Sequence, residues 1–174
     1  MMNVDELKAF LRDVPDFPKP GILFKDITPL LRSHDALTKS VQWLAEPYRD
    51  QEITHVAGIE SRGFIFGGCV AQLLGAGFVP IRKPGKLPWT KRSHEYELEY
   101  GTDKLEIHDD ALQPGDRVLI VDDVLATGGT ASAASHLVRG FDTTLVGVAM
   151  VVELEFLRGR ERLGEVAVHS LMRF

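Results

Sequence analysis

The chain has 174 residues, 44% hydrophobic, 8% aromatic and 26% charged, which suits one domain-sized core and leaves too little chain for two. A formal net charge of -5 excludes a generally basic surface for nucleic acid or an anionic membrane, while leaving room for a local cationic site. A single cysteine, Cys69, excludes an internal disulfide, and its apolar neighbours predict a buried small hydrophobe.

The first ten residues interleave acids with apolar side chains and lack the basic cap and apolar run of a secretory leader. Leu7, Phe10 and Leu11, spaced i, i+3, i+4 behind Asp5, predict a short amphipathic helix. The segment holding Pro15, Pro18 and Pro20 cannot continue it. Asp35 reads as the cap of a second helix with Leu37, Val41, Leu44 and Tyr48 on one face, ended or kinked by Pro47. A buried strand at 53–59, a glycine-rich helix at 63–74 and a strand at 78–81 follow.

Residues 82–108 break this rhythm: they are polar, with alternating apolar positions at Tyr96, Leu98 and Tyr100, and predict a long excursion with hairpin character, of the kind that serves as a functional lid or stays disordered. A turn and strand at 115–123, a helix at 130–139 stopping at Gly140, a strand at 144–152 and a short strand at 166–171 complete the chain. The alternation predicts an α/β domain whose parallel sheet is covered on both faces. The apolar stretches at 64–81 and 144–152 are too interrupted or too short to span a bilayer, and a soluble, cytoplasmic protein is expected.

The strongest chemical signal is VLIVDDVLATGGTA at 118–131, a hydrophobic strand ending in paired acids and followed by a loop of small residues that enters a helix. Ligands of open parallel sheets bind at the carboxyl ends of strands, where Asp122 and Asp123 stand. Ala126, Thr127, Gly128, Gly129 and Thr130 can turn backbone amides and two hydroxyls toward one point beside a helix N-terminus, as a phosphate cradle requires. The acids would repel a bare phosphate but accept hydrogen bonds from sugar hydroxyls, or meet a cation carried by the ligand. A ribose phosphate satisfies both halves. The plainer alternative, a glycine turn with two solvated acids, leaves the paired threonines without a purpose. No G-x-x-x-x-G-K-[ST] or G-x-G-x-x-G motif is present, and the six histidines lack metal-site spacing.

With FPKPGILFKDITPLL at 17–31, IESRGFIFG at 59–67, IRKPGKLP at 81–88 and LEYGTDKLEIH at 98–108, this motif resembles the type I phosphoribosyltransferase family over nearly the whole chain, and most closely its adenine-using members. The resemblance implies a single domain over 1–174, with a parallel central sheet flanked by helices, a small hood at 1–34 and a flexible lid at 83–108. It implies a purine-salvage reaction in which adenine and 5-phosphoribosyl 1-pyrophosphate give AMP and pyrophosphate. Glu99 would carry the purine proton, and the 126–130 loop would hold the 5′-phosphate. Asp122 and Asp123 would hold the ribose, while Ser61, Arg62, Arg82, Lys83 and Lys86 would hold the pyrophosphate. Leu23, Phe24, Lys25 and Leu154 would enclose adenine.

Mg²⁺ would arrive on the substrate rather than on protein side chains, and a homodimer without nucleic-acid or membrane partners is implied. Glu95 departs from the small hydroxyl residue common in the family. Read physically, Arg62 and the Arg82, Lys83, Lys86 cluster follow strands and so emerge at the same sheet edge as the acids. Another base, or a regulator that binds without catalysis, are the competing readings; the lid and Glu99 speak against the second.

Overall fold

The computed structural model describes residues 3–97 and 102–174. Asn3 opens helix α1 (Val4–Lys8) with a reciprocal cap: its side chain accepts the Glu6 amide at 2.9 Å, while Glu6 accepts the Asn3 amide at 2.8 Å. The helix is shorter than its apolar spacing suggests; Leu7 is buried, and Phe10 and Leu11 reach the core from the turn beyond it. The proline segment that follows is an antiparallel hairpin of β1 (Arg12–Pro15) and β2 (Leu23–Asp26), which no alternation in the sequence announced.

Helices α2 (Thr28–Arg32) and α3 (His34–Ala45) come next. The cap of α3 is Ser33, whose hydroxyl accepts the Ala36 amide at 3.3 Å, rather than Asp35, which sits in the first turn. Pro47 falls in a single 3-10 turn, Glu46–Tyr48, at the helix end.

Strand β3 (His55–Ile59), helix α4 (Gly63–Leu74) and strand β4 (Gly77–Ile81) follow the expected alternation. The polar excursion contains an antiparallel hairpin, β5 (Lys91–Glu97) with β6 (Thr102–His108). Then come β7 (Arg117–Leu125), α5 (Gly129–Arg139), β8 (Thr144–Glu153) and β9 (Val168–Arg173). The central sheet is five-stranded and wholly parallel in the order β4-β3-β7-β8-β9. From β3 the chain moves outward to β4 and then crosses back to β7. The order reverses between these adjacent central strands, where a crevice opens at their carboxyl ends.

Alternation along each strand sends side chains into two cores. Val56, Leu119, Val121 and Ala149 pack under α3 and α4 with Leu44, Phe66 and Val70. Ala57, Ile120, Val148 and Met150 pack under α5 and the β5/β6 hairpin with Leu137, Leu105 and Ile107. A sheet buried on both faces explains why these strands read as continuous apolar runs.

Arg92 of the hairpin lies 3.9 Å from the Phe141 ring, and His94 stacks on His136 of α5 with centroids 4.0 Å apart. Cys69 is exposed, contrary to expectation, because Phe66 and Val70 take the buried side of α4 and Cys69 shares the outer side with Ile65 and Leu73. Among the described residues no helix is long and apolar enough to cross a membrane.

Candidate active site

Strand β7 runs two residues past its acids because Val124 and Leu125 continue the ladder with Val152 and Glu153 of β8. Asp122 and Asp123 are therefore strand residues and are buried. After Leu125 the chain turns through residues 126–128 into α5. Gly128, the residue before the helix, has φ +82°, a left-handed conformation that strains any L side chain. Residues 124–131 enclose a small concavity of about 60 Å³ at the start of α5. The first amides of a helix lack acceptors in their own helix and carry the positive end of its dipole, so this concavity suits a phosphate.

Asp123 accepts a hydrogen bond from Arg62 Nε at 2.5 Å. Asp122 accepts the Asp123 amide at 2.8 Å. Burial, followed by the nearby Asp123 charge, pushes the Asp122 carboxyl well above its ordinary 3.8. The two adjacent acids are thus unequal. Asp123 has a guanidinium partner, whereas Asp122 is held by a backbone amide in a dry setting that favours its proton.

Ser61 and Arg62 leave the end of β3 through a cis Glu60–Ser61 peptide, and both are exposed at the crevice. The other three cations predicted to meet pyrophosphate are engaged with carboxylates. Arg82 Nε donates to Glu60 at 2.8 Å and Lys86 pairs with the other oxygen of the same carboxylate. Burial raises the Glu60 pKa, but the hydrogen bonds from Lys86 and Arg82 outweigh it and hold the carboxyl below its usual range. Lys83 pairs with Asp103 and donates to the Tyr96 hydroxyl at 3.1 Å. Those partners overcome the effect of burial and raise its pKa. The Tyr96 hydroxyl also lies 3.2 Å from Thr130 Oγ1, which joins the hairpin to the first turn of α5. Glu60, Asp103 and Tyr96 are site residues that motif reading missed. Each acts through a partner more than ten residues away, or on another element.

A second cavity, of about 330 Å³, brings Leu23, Phe24, Lys25 and Leu154 together with Arg62 and Asp123. It shares Val124 and Ala126 with the phosphate concavity. The Phe24 ring meets the Phe17 ring edge-on at 5.2 Å and the Arg62 guanidinium at 5.4 Å. The Lys25 ammonium is drawn to Asp13 at 2.7 Å and lies 4.3 Å from the Phe174 ring, leaving its backbone to border the cavity. Glu99, the predicted proton carrier, lies outside the described residues. So do Leu98 and Tyr100.

A small concavity at the start of α5 and an apolar slot that Asp123 lines, joined at Val124 and Ala126, give one crevice with room for an anionic group and a flat one. Residues 26–168 match the phosphoribosyl transferase domain, and the chain belongs to that family. It is 56% identical over 171 residues to adenine phosphoribosyltransferase of Nitrosococcus oceani, covering 98% of this chain and all of the relative. The crystal structure of adenine phosphoribosyltransferase from Rhodothermus marinus is 54% identical, with a TM-score of 0.94 and 98% of both chains covered. The Saccharomyces cerevisiae adenine phosphoribosyltransferase, complexed with an imino-altritol bisphosphate and adenine, is 43% identical with a TM-score of 0.91 over 97% of each chain. These relatives set the chain in the adenine-using branch of its family.

Proposed function

We infer that the chain catalyses the transfer for which its branch is named: a ring nitrogen of adenine attacks C1 of 5-phosphoribosyl 1-pyrophosphate. The bond from C1 to the pyrophosphate oxygen breaks, and AMP and pyrophosphate result. The observation that carries this reading is the pair of adjoining cavities sharing Val124 and Ala126, one shaped for phosphate and the other apolar. A ribose spanning them passes Asp122 and Asp123.

In this mechanism Ala126, Thr127, Gly128, Gly129 and Thr130 anchor the 5′-phosphate, and the acids hold the ribose hydroxyls. Ser61, Arg62, Arg82, Lys83 and Lys86 stabilise charge on the departing pyrophosphate, which is where positive charge is most useful as the sugar gains oxocarbenium character. Arg82 and Lys86 must then share or leave Glu60, and Lys83 must do the same with Asp103. Leu23, Phe24, Lys25 and Leu154 flank the base, and Glu99 takes the proton that the purine loses on attack. Residues 1–34 serve as hood and 83–108 as the lid that excludes water.

Mg²⁺ travels with the substrate. Asp123, which lines the crevice, would face a cation whose other ligands are phosphates and water. Mg²⁺ carried by the pyrophosphate would supply positive charge against the negative charge developing on the leaving group.

The direct test incubates the protein with 5-phosphoribosyl 1-pyrophosphate, Mg²⁺ and each of adenine, hypoxanthine, guanine, xanthine and orotate, and separates the nucleotides. AMP alone is expected, lost on chelation; a different nucleotide, or none, overturns the assignment.

The enzyme works in the cytoplasm, without nucleic-acid or membrane partners, as a homodimer. The file Ile65, Cys69 and Leu73 along the outside of α4 supports self-association, since apolar side chains in a row are costly to leave in water. Sedimentation at micromolar concentration is expected to give twice the 19.3 kDa chain mass, and a species at the chain mass would refute the dimer.

A further inference from the structure

Behind the phosphate loop two glycines press backbone against backbone. A Cβ on Gly159 would lie 2.3 Å from the Ala126 carbonyl oxygen and 3.1 Å from the Gly128 nitrogen; one on Gly128 would lie 2.2 Å from the Gly159 carbonyl oxygen. Neither contact ends on a flexible side chain, so where Gly159 stands decides where the loop stands.

Gly159 opens the turn Gly159–Leu163, and its neighbour Arg160 is the most heavily anchored side chain near it. Arg160 donates Nε and Nη2 to the two oxygens of Glu153, at 2.6 and 2.7 Å. It also gives Nη1 to the Val168 carbonyl at 2.8 Å and Nη2 to Ser170 Oγ at 3.4 Å. Glu153 has a side chain only 4% exposed, and it is the last residue of β8, immediately before Leu154 of the apolar cavity. The planar guanidinium thus spans the ends of β8 and β9 with a fork that a lysine cannot reproduce.

We propose that Glu153 and Arg160 are positioning residues for the phosphate loop: by fixing Gly159 they set residues 126–128 in register with the wall that Leu154 gives the base. The proposal rests on the phosphoribosyl role of the loop given above. It makes the base wall and the phosphate floor one braced unit, although they belong to different loops.

The test compares wild type with Arg160→Lys and Gly159→Ala, measuring kcat, KM for each substrate, melting temperature, and the calorimetric Kd of ribose 5-phosphate, which needs no catalysis. Both variants are expected to raise KM for 5-phosphoribosyl 1-pyrophosphate and Kd for ribose 5-phosphate by about tenfold, with KM for adenine changed less. A lowered melting temperature with both constants unchanged in Arg160→Lys would mean that the pair is only structural, and would overturn the proposal. Should Gly159→Ala fail to fold, Arg160→Lys decides alone. A wild type that binds ribose 5-phosphate without forming AMP removes the proposed activity, yet the Kd series still decides the brace. A wild type that binds no ribose 5-phosphate removes the brace itself.

Discussion

If Asp123 holds the ribose as proposed, Asp123→Asn is expected to lower kcat/KM by about a hundred- to a thousandfold, the range for losing one preorganised hydrogen-bonding group in a dry site. The carboxylate has two oxygens, one already accepting Arg62, and a ribose hydroxyl needs the other. An amide can keep its oxygen on the guanidinium, but its NH2 then donates where the carboxylate accepted, and the negative charge is gone. Steady-state kinetics with both substrates varied would show this, and a loss below about threefold would remove Asp123 from the ribose site.

Asp122→Asn provides the contrast within that experiment. Burial first, and the neighbouring Asp123 charge second, keep the proton on Asp122 to a higher pH in the folded chain than in the unfolded one. Its contribution to stability is whole below the ordinary 3.8 and is lost as pH rises from there through the raised folded value. An asparagine carries no charge to bury and still accepts the Asp123 amide. The variant should therefore melt higher than wild type at neutral pH, by roughly 2–4 °C for each kcal/mol recovered in a chain of this length, with the advantage shrinking as the solution is acidified. Equal melting temperatures at neutral pH would show that Asp122 is not strained by its charge.

Gly128→Ala should abolish measurable saturation by 5-phosphoribosyl 1-pyrophosphate, or raise its KM by about a hundredfold, the effect of moving a binding group by about 1 Å. Two independent causes converge on this residue. Its φ of +82° costs an alanine about 1–2 kcal/mol, and the added carbon would meet the Gly159 oxygen at 2.2 Å. The second cost is removed only if the loop retreats. Calorimetry with ribose 5-phosphate isolates the effect from chemistry, and unchanged affinity would place the phosphate elsewhere.

The parallel sheet was legible because strands buried on both faces must be apolar throughout, and the 56–59 and 118–121 runs show that directly. The tight turn from β7 into α5 was equally legible, since a left-handed residue before the helix and close backbone packing require small residues there. Short strands carry less information: β1 and β2 have four residues each, with little alternation, and are held by each other rather than by a core face. The Asp35 cap lost to Ser33 because both are capping residues two positions apart, and only tertiary packing selects between them. The carboxylates that hold the cations were illegible for a different reason. Glu60 meets Arg82 across 22 residues, and Lys83 meets Asp103 across 20, pairings that depend on where the sheet brings separate loops. Cys69 is exposed despite its apolar neighbours because α4, with Gly63 and Gly67 on its packed side, keeps apolar residues on its outer side as well.

Strands β1 and β2 bond to each other as a separate two-stranded sheet, while the acids and the phosphate loop hang from the central one. The surface assigned to the base and the machinery assigned to the sugar phosphate thus share a crevice without sharing a ladder. Substitutions in β1 and β2 break no ladder hydrogen bond of β3 or β7, so the proposed base pocket can change while the proposed reaction centre keeps its register. Innovation in what is joined to the ribose is separable, in this architecture, from preservation of how it is joined.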